Sequence, residues 1–186
     1  MNTVQLALIL LAIVILAGGA WYYFRYRRTE RLRSSFGREY DRLVDVTGDR
    51  SRAERELAER EERVHRLELR PLADGERERF AEDWRREQQN FVDDPRNAVM
   101  RADAMVTEVM RARGYPMGEF ERRAADISVE HPHMVDNYRT AHAIAEGTRS
   151  GQSTTEDFRR AMVCYRALFE DLLERQVTQR EPVTHG

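Results

Sequence analysis

The sequence predicts an all-α protein with an N-terminal transmembrane helix, a charged helical arm or hairpin, and then a compact helical bundle. Three observations predict it. Val4 to Phe24 contains no charged side chain. From Thr29 to about Gln176, apolar residues recur at spacings of three and four in one segment after another, the period of a helix with one buried face. No alternation of apolar and polar residues reaches strand length.

The apolar stretch comes first. At 1.5 Å per residue, residues 4–24 span about 30 Å, the thickness of a bilayer's hydrocarbon core. A cleaved signal peptide is the competing reading, and Ala17-Gly18-Gly19-Ala20 offers small residues of the kind such a site uses. However, the start, Met1-Asn2-Thr3, has no basic side chain, and the run is longer than a signal's apolar region. Trp21, Tyr22 and Tyr23 follow at once, and Trp and Tyr favour the membrane–water interface. Arg25, Arg27, Arg28, Arg31 and Arg33 come next. Basic residues on one side only orient a span with that side inward. The expectation is a retained single-pass anchor in the cell (inner) membrane, with the N-terminus outside and the rest cytoplasmic. The lipid bilayer is the first partner, and the collar attracts anionic headgroups. No GxxxG pairing motif occurs in the span.

Charge divides the chain. Residues 25–33 carry a net of +4, while the whole chain carries -2, so the remainder is acidic. An acidic body argues against nucleic-acid binding, whose affinity comes largely from neutralising phosphates. Every one of the 31 basic residues is Arg, which composition bias explains. Cys164 is the single cysteine, so no intrachain disulfide forms.

The soluble elements follow in order. Leu32, Phe36, Tyr40, Leu43 and Val44 give one apolar face to a helix over 29–46, continuous with the span and stopped near Gly48. Asp49 or Ser51 caps a helix running to about Glu68, with Ala53, Leu57, Val64 and Leu67 on its seam and Arg60 interrupting it. Glu56–Arg60, Glu59–Arg63 and Glu62–Arg66 are (i, i+4) pairs in the favourable order. Residues 25–70 therefore read as the basic collar and a thin amphipathic arm, and 49–70 as a candidate surface for self-association or a protein partner.

Pro71 ends the arm, Gly75 marks a turn, and a helix from Glu76 carries Phe80, Trp84, Gln88 and Phe91 on one stripe. Asp94 caps the next helix and Pro95 takes its first position. Ala98, Val99, Ala102, Met105, Val106, Val109 and Met110 make its broad buried face, up to Gly114-Tyr115-Pro116. A short helix spans Glu119 to Asp126, and Ser128 to His133 reads as a turn. A helix to about Glu146 buries Val135, Tyr138, Ala141, His142 and Ala145. Gly147 to Gly151 reads as a loop, and Ser153 with Glu156 or Thr154 with Asp157 forms a capping box. The last helix shows Phe158, Ala161, Met162, Tyr165, Leu168, Phe169 and Leu172 on one side. The bundle thus covers 76–176, and residues 177–186 form a frayed, disordered tail.

The runs FGREYDRLV, GDRSRAERELAEREERV, RPL, FVDDP, VMRARGYP, RAADISVEHP, NYRTAH and TEDFRRAMVCYRALFEDLL occur in that order. Together they resemble an uncharacterised family of small bacterial single-pass membrane proteins with a helical soluble domain. The resemblance covers nearly all of the chain after the anchor. It implies a bacterial, membrane-tethered helical domain and brings no activity or catalytic residues. The family pattern has His where this chain has Cys164, so the resemblance assigns the thiol no role.

Candidate chemistry is sparse. His131, His133 and His142, with Glu130 and Asp136 nearby, are the residue types of a metal site. Pro132 constrains the first two, and an interior hydrogen-bonded role suits His142, so the expectation is no metal. Asp93-Asp94 beside Pro95 reads as helix capping rather than acid–base work. Cys164 reads as a small buried hydrophobe, and Trp84, Tyr115, Tyr138 and Tyr165 as core rather than pocket. No P-loop, Rossmann glycine pattern, HExxH, GxSxG or CxxC occurs. The sequence therefore indicates no catalytic activity and no cofactor. It suggests a membrane-anchored interaction or scaffold protein, with a tethered ligand- or metal-binding sensor as the alternative.

Overall fold

The computed structural model describes the backbone of residues 3–174, and the side chains of residues 11–174 apart from Val14 and Arg149. The protein is all-α. Among the described residues there are eight helices and no strand. Contacts divide the chain into two compact units, residues 1–58 and 59–186.

In the first unit, α1 (Thr3–Phe36) runs without interruption from the apolar stretch into the Arg collar. The expected spanning residues 4–24 form its first part. The side chains of residues 1–10 and Val14 lie outside the described residues. Among the described residues, no helix is long and apolar enough to cross a membrane. Leu11, Ile13, Ile15 and Leu16 are all exposed.

The helix expected over 29–46 is in fact divided. Gly37, at φ 52, separates α1 from α2 (Arg38–Thr47), a conformation open to glycine because it has no Cβ. Leu32, Phe36, Tyr40 and Leu43 are buried, as their spacing predicts. Gly48 ends α2 in the left-handed conformation, its N–H donating to Val44 O at 2.9 Å. Asp49, rather than Ser51, caps α3 (Arg50–His65): its carboxylate accepts from the N–H of Ser51 at 2.7 Å and of Arg52 at 3.3 Å.

In the second unit, α4 (Asp74–Asn90), α5 (Pro95–Ala112), α6 (Phe120–Glu130), α7 (Val135–Arg149) and α8 (Thr155–Glu174) surround one apolar core. α5 and α8 pack on each other and both pack on α7, while α4 lies against α5 and α6 against α7. Every residue of the predicted α5 face is buried. Asp94 caps this helix, accepting from the Asn97 N–H at 3.2 Å. On α8 the predicted face is buried from Ala161 onward, and Phe158 is half-buried. Of the two capping boxes, Thr154 with Asp157 forms, the two residues exchanging bonds of 2.9 and 3.2 Å.

Four local expectations are corrected. α4 begins at Asp74 and contains Gly75, because the Glu76 carboxylate accepts the Ala73 N–H at 3.0 Å and sets the start earlier. Gln88 faces solvent. α6 extends to Glu130: the Ser128 hydroxyl donates to Ala125 O at 2.7 Å, so its polar group is satisfied inside a helix. α7 runs through Gly147 to Arg149. The connection after α3 also joins the bundle core, where Leu67 and Leu69 pack and Leu72 is buried. There Arg70 N–H donates to Arg113 O at 2.9 Å. The expected tail, 177–186, lies outside the described residues.

Candidate functional site

The collar at the end of the apolar stretch contains the most unusual chemistry of the first unit. Trp21, Tyr22, Tyr23 and Phe24 are exposed on α1. The Arg25 guanidinium lies 5.5 Å from the Trp21 ring centroid, and that of Arg27 lies 5.6 Å from the Tyr23 centroid. Arg27 Nε also donates to the Tyr23 hydroxyl at 3.0 Å. These pairs use the attraction of a cation for an aromatic face.

Helical spacing puts Trp21, Phe24, Arg25 and Arg28 on one stripe of α1, and Ser51, Glu54 and Arg55 on one stripe of α3. The two stripes line a concavity of about 320 Å³. Arg25 donates across it to the Ser51 hydroxyl at 2.9 Å. Glu54 is buried at its base, and one of its oxygens accepts from Thr29 at 2.6 Å and from Tyr40 at 3.0 Å. Arg50 Nε stands 3.9 Å from that same oxygen. Burial and the proximity of Glu54 raise the Tyr40 hydroxyl above its ordinary pKa, against the opposing hydrogen bond from Arg50. Arg28 and Arg55 have no hydrogen-bond or ion-pair partner among the described residues.

The second unit has a polar interior. Asp103 on α5 accepts from the Tyr165 hydroxyl at 2.7 Å and pairs with His142 Nδ1 at 3.2 Å. Burial pushes the Asp103 carboxyl up, but the bonds from His142 and Tyr165 outweigh it and hold it below the ordinary aspartate range. Phe120 stacks on His142 with centroids 3.7 Å apart. Arg123 Nε donates to the Tyr138 hydroxyl at 3.1 Å, and burial still leaves that hydroxyl raised. This arrangement orients the imidazole, whose Nε2 faces the Glu146 carboxylate at 3.9 Å.

The three candidate metal-ligating histidines have separate environments. His131 is buried and its Nδ1 pairs closely with Asp171, while its Nε2 has no hydrogen-bond partner among the described residues. His133 is exposed, and His142 belongs to the Asp103 cluster. Among the described residues, no group of three or more His, Cys, Asp or Glu is arranged to hold a metal ion. Asp94 serves as a cap, and the bonds from the Asn97 side chain and backbone lower its pKa. Cys164 is half-buried, and burial pushes its thiol up, away from thiolate reactivity. Trp84 stacks on Phe169 at 4.6 Å, and Tyr115, Tyr138 and Tyr165 are buried.

Sequence reasoning found the collar but not its α3 partners, because only a tertiary contact joins residues 26 positions apart. The 51/54/55 spacing was the available signal. Asp103, Arg123 and Asp171 were likewise missed, each being one acid or base among many on a helix. Compared with protein-family models, with curated proteins and with solved structures, the chain has no match in any of the three.

Proposed function

We propose that this chain is a membrane-anchored helical interaction or scaffold protein without catalytic activity. α1 holds it in the cell membrane with its N-terminus outside, and the bundle stands at the cytoplasmic face. The observation that carries this reading is the surface of α1. Leu11, Ile13, Ile15, Leu16 and Trp21 to Phe24 are each 54–72% exposed, on a helix with no charge before Arg25. Exposed apolar surface of that extent is costly in water and suits hydrocarbon. The one-sided Arg collar supplies the direction, and the resemblance to small bacterial single-pass proteins points the same way.

The interaction role rests on the outer surfaces. The seam of the 49–70 arm is already buried at Ala53, Leu57 and Val64. A protein partner or second copy would meet the arm's charged outer face, where Arg66 and Glu62 pair at 2.9 Å with both side chains exposed. The sensor alternative draws less support, since the three histidines occupy separate environments.

A two-part experiment tests the proposal. Cells expressing the chain are fractionated, and a reporter fused after Gly186 is read on both sides of the membrane. The expected result is a chain that stays with membranes through alkaline extraction, with a reporter active only inside. Extraction into the soluble fraction, or a reporter active only outside, overturns the reading. Cross-linking that repeatedly captures neither a partner nor a second copy removes the interaction role.

A further inference from the structure

We propose that the concavity between α1 and α3 binds the phosphate group of an anionic membrane lipid. The inference rests on the membrane-anchored reading for its choice of occupant. Its chemistry comes from the groove itself.

Three guanidinium groups, Arg25, Arg28 and Arg55, face one carboxylate, Glu54, around a space of about 320 Å³. That carboxylate is already engaged by Thr29 and Tyr40 and sits close to Arg50. The groove therefore has an excess of positive charge. Acids outnumber bases, 33 to 31, and several exposed arginines elsewhere pair with them, as Arg70 with Glu76 at 2.7 Å and Arg159 with Glu156. Arg28 and Arg55 both line the groove, and neither has such a partner among the described residues. Guanidinium groups recognise phosphate through paired N–H donors, and the Ser51 hydroxyl adds a further hydrogen-bonding group.

The walls favour a lipid over a free anion. Trp21 and Phe24 line the groove and are 63% and 71% exposed, so the acyl side of a bound lipid meets apolar surface while its phosphate meets arginine. Trp21 to Arg28 covers about 10 Å of helix immediately after the apolar run, on the scale of the headgroup layer. This differs from general attraction to a basic collar, because α3 supplies Ser51 and Arg55 to a particular cavity.

The test uses the full chain in detergent, with native mass spectrometry to read retained lipid as phosphatidylglycerol is titrated against phosphatidylcholine. The wild type is expected to retain phosphatidylglycerol selectively. The double variant Arg28→Gln/Arg55→Gln is expected to weaken that retention at least about tenfold, having lost two charge-assisted contacts. Arg31→Gln/Arg33→Gln removes the same charge outside the groove and should leave retention within about threefold. Ser51→Asp, which adds a carboxylate to the wall and keeps every arginine, should also weaken it, and serves if the first variant misfolds. Equal losses in both double variants would reduce the effect to collar charge and overturn the site, as would no loss in either. Displacement of the lipid by millimolar inorganic phosphate would identify a free anion as occupant and overturn the lipid assignment. A wild-type chain that leaves membranes on fractionation, yet retains phosphatidylglycerol in detergent, would sink the anchoring reading while supporting the groove.

Discussion

Replacing Asp103 with alanine should destabilise the bundle by about 3 kcal/mol, given that hydrogen bonds to charged groups contribute roughly 1.5–3 kcal/mol each. The Tyr165 bond, at 2.7 Å from a buried ring, belongs near the middle of that range. The His142 bond, at 3.2 Å and with both side chains about 15% exposed or less, belongs at or below its lower end. For a domain of this size the melting temperature should fall by roughly 10 °C. Thermal unfolding of the full chain in detergent can be followed through Trp84, which stacks on Phe169 in the core. Tyr165→Phe alone should cost about 1–2 kcal/mol. Combining it with Asp103→Ala should add little, because the two substitutions remove the same bond.

The pH dependence has a definite sign. The folded-state pKa of Asp103 lies below its ordinary value. Its contribution is therefore present above that value and lost as the pH falls through the folded one, so wild type and Asp103→Ala should begin to converge only below about pH 4. Stabilities within 1 kcal/mol at neutral pH, or full additivity with Tyr165→Phe, would refute the account of Asp103 as the organiser of this cluster.

Two glycines should respond in opposite directions. Gly114 has φ +96, and an added Cβ would lie 2.9 Å from the Glu68 carbonyl oxygen. Gly114→Ala should therefore cost at least about 2 kcal/mol in chemical denaturation. At Gly75, in the first turn of α4, a Cβ meets nothing within 4 Å, and Gly75→Ala should stabilise by about 0.5 kcal/mol. Glu76 should titrate at about 2, because the Arg70 side chain and then the Ala73 N–H hold its ionised form. Carboxyl NMR reads this directly, and Arg70→Gln should return the midpoint toward the ordinary glutamate value.

What the sequence revealed depended on whether the decisive interaction was local. Asp94 and Pro95 announce the start of α5, and its seven apolar positions repeat with little interruption, so both the cap and the face were legible. α8 was legible for the same reason. α6 was underestimated because Ser128 and Glu130 resemble turn residues, while the bond from Ser128 to the Ala125 carbonyl satisfies the hydroxyl within the helix. Gly75 misled in the same way, since the helix start is fixed by Glu76. The Asp103 cluster joins positions 39 and 62 residues apart, and the groove joins α1 to α3. No pattern along the chain distinguishes those side chains from their many charged neighbours.

The continuity of α1 has a mechanical consequence. The sequence before Trp21 carries no charged side chain, so on the membrane reading no charge dictates which face of the helix turns toward lipid. Such a shaft fixes height but leaves azimuth free. One residue inserted before Trp21 would raise the groove about 1.5 Å relative to the far end of the shaft and turn it about 100°. The lipid would oppose only the first change. The number of residues in the shaft is thus a depth gauge for the arginines, and their compass bearing must come from whatever the helices after α1 touch.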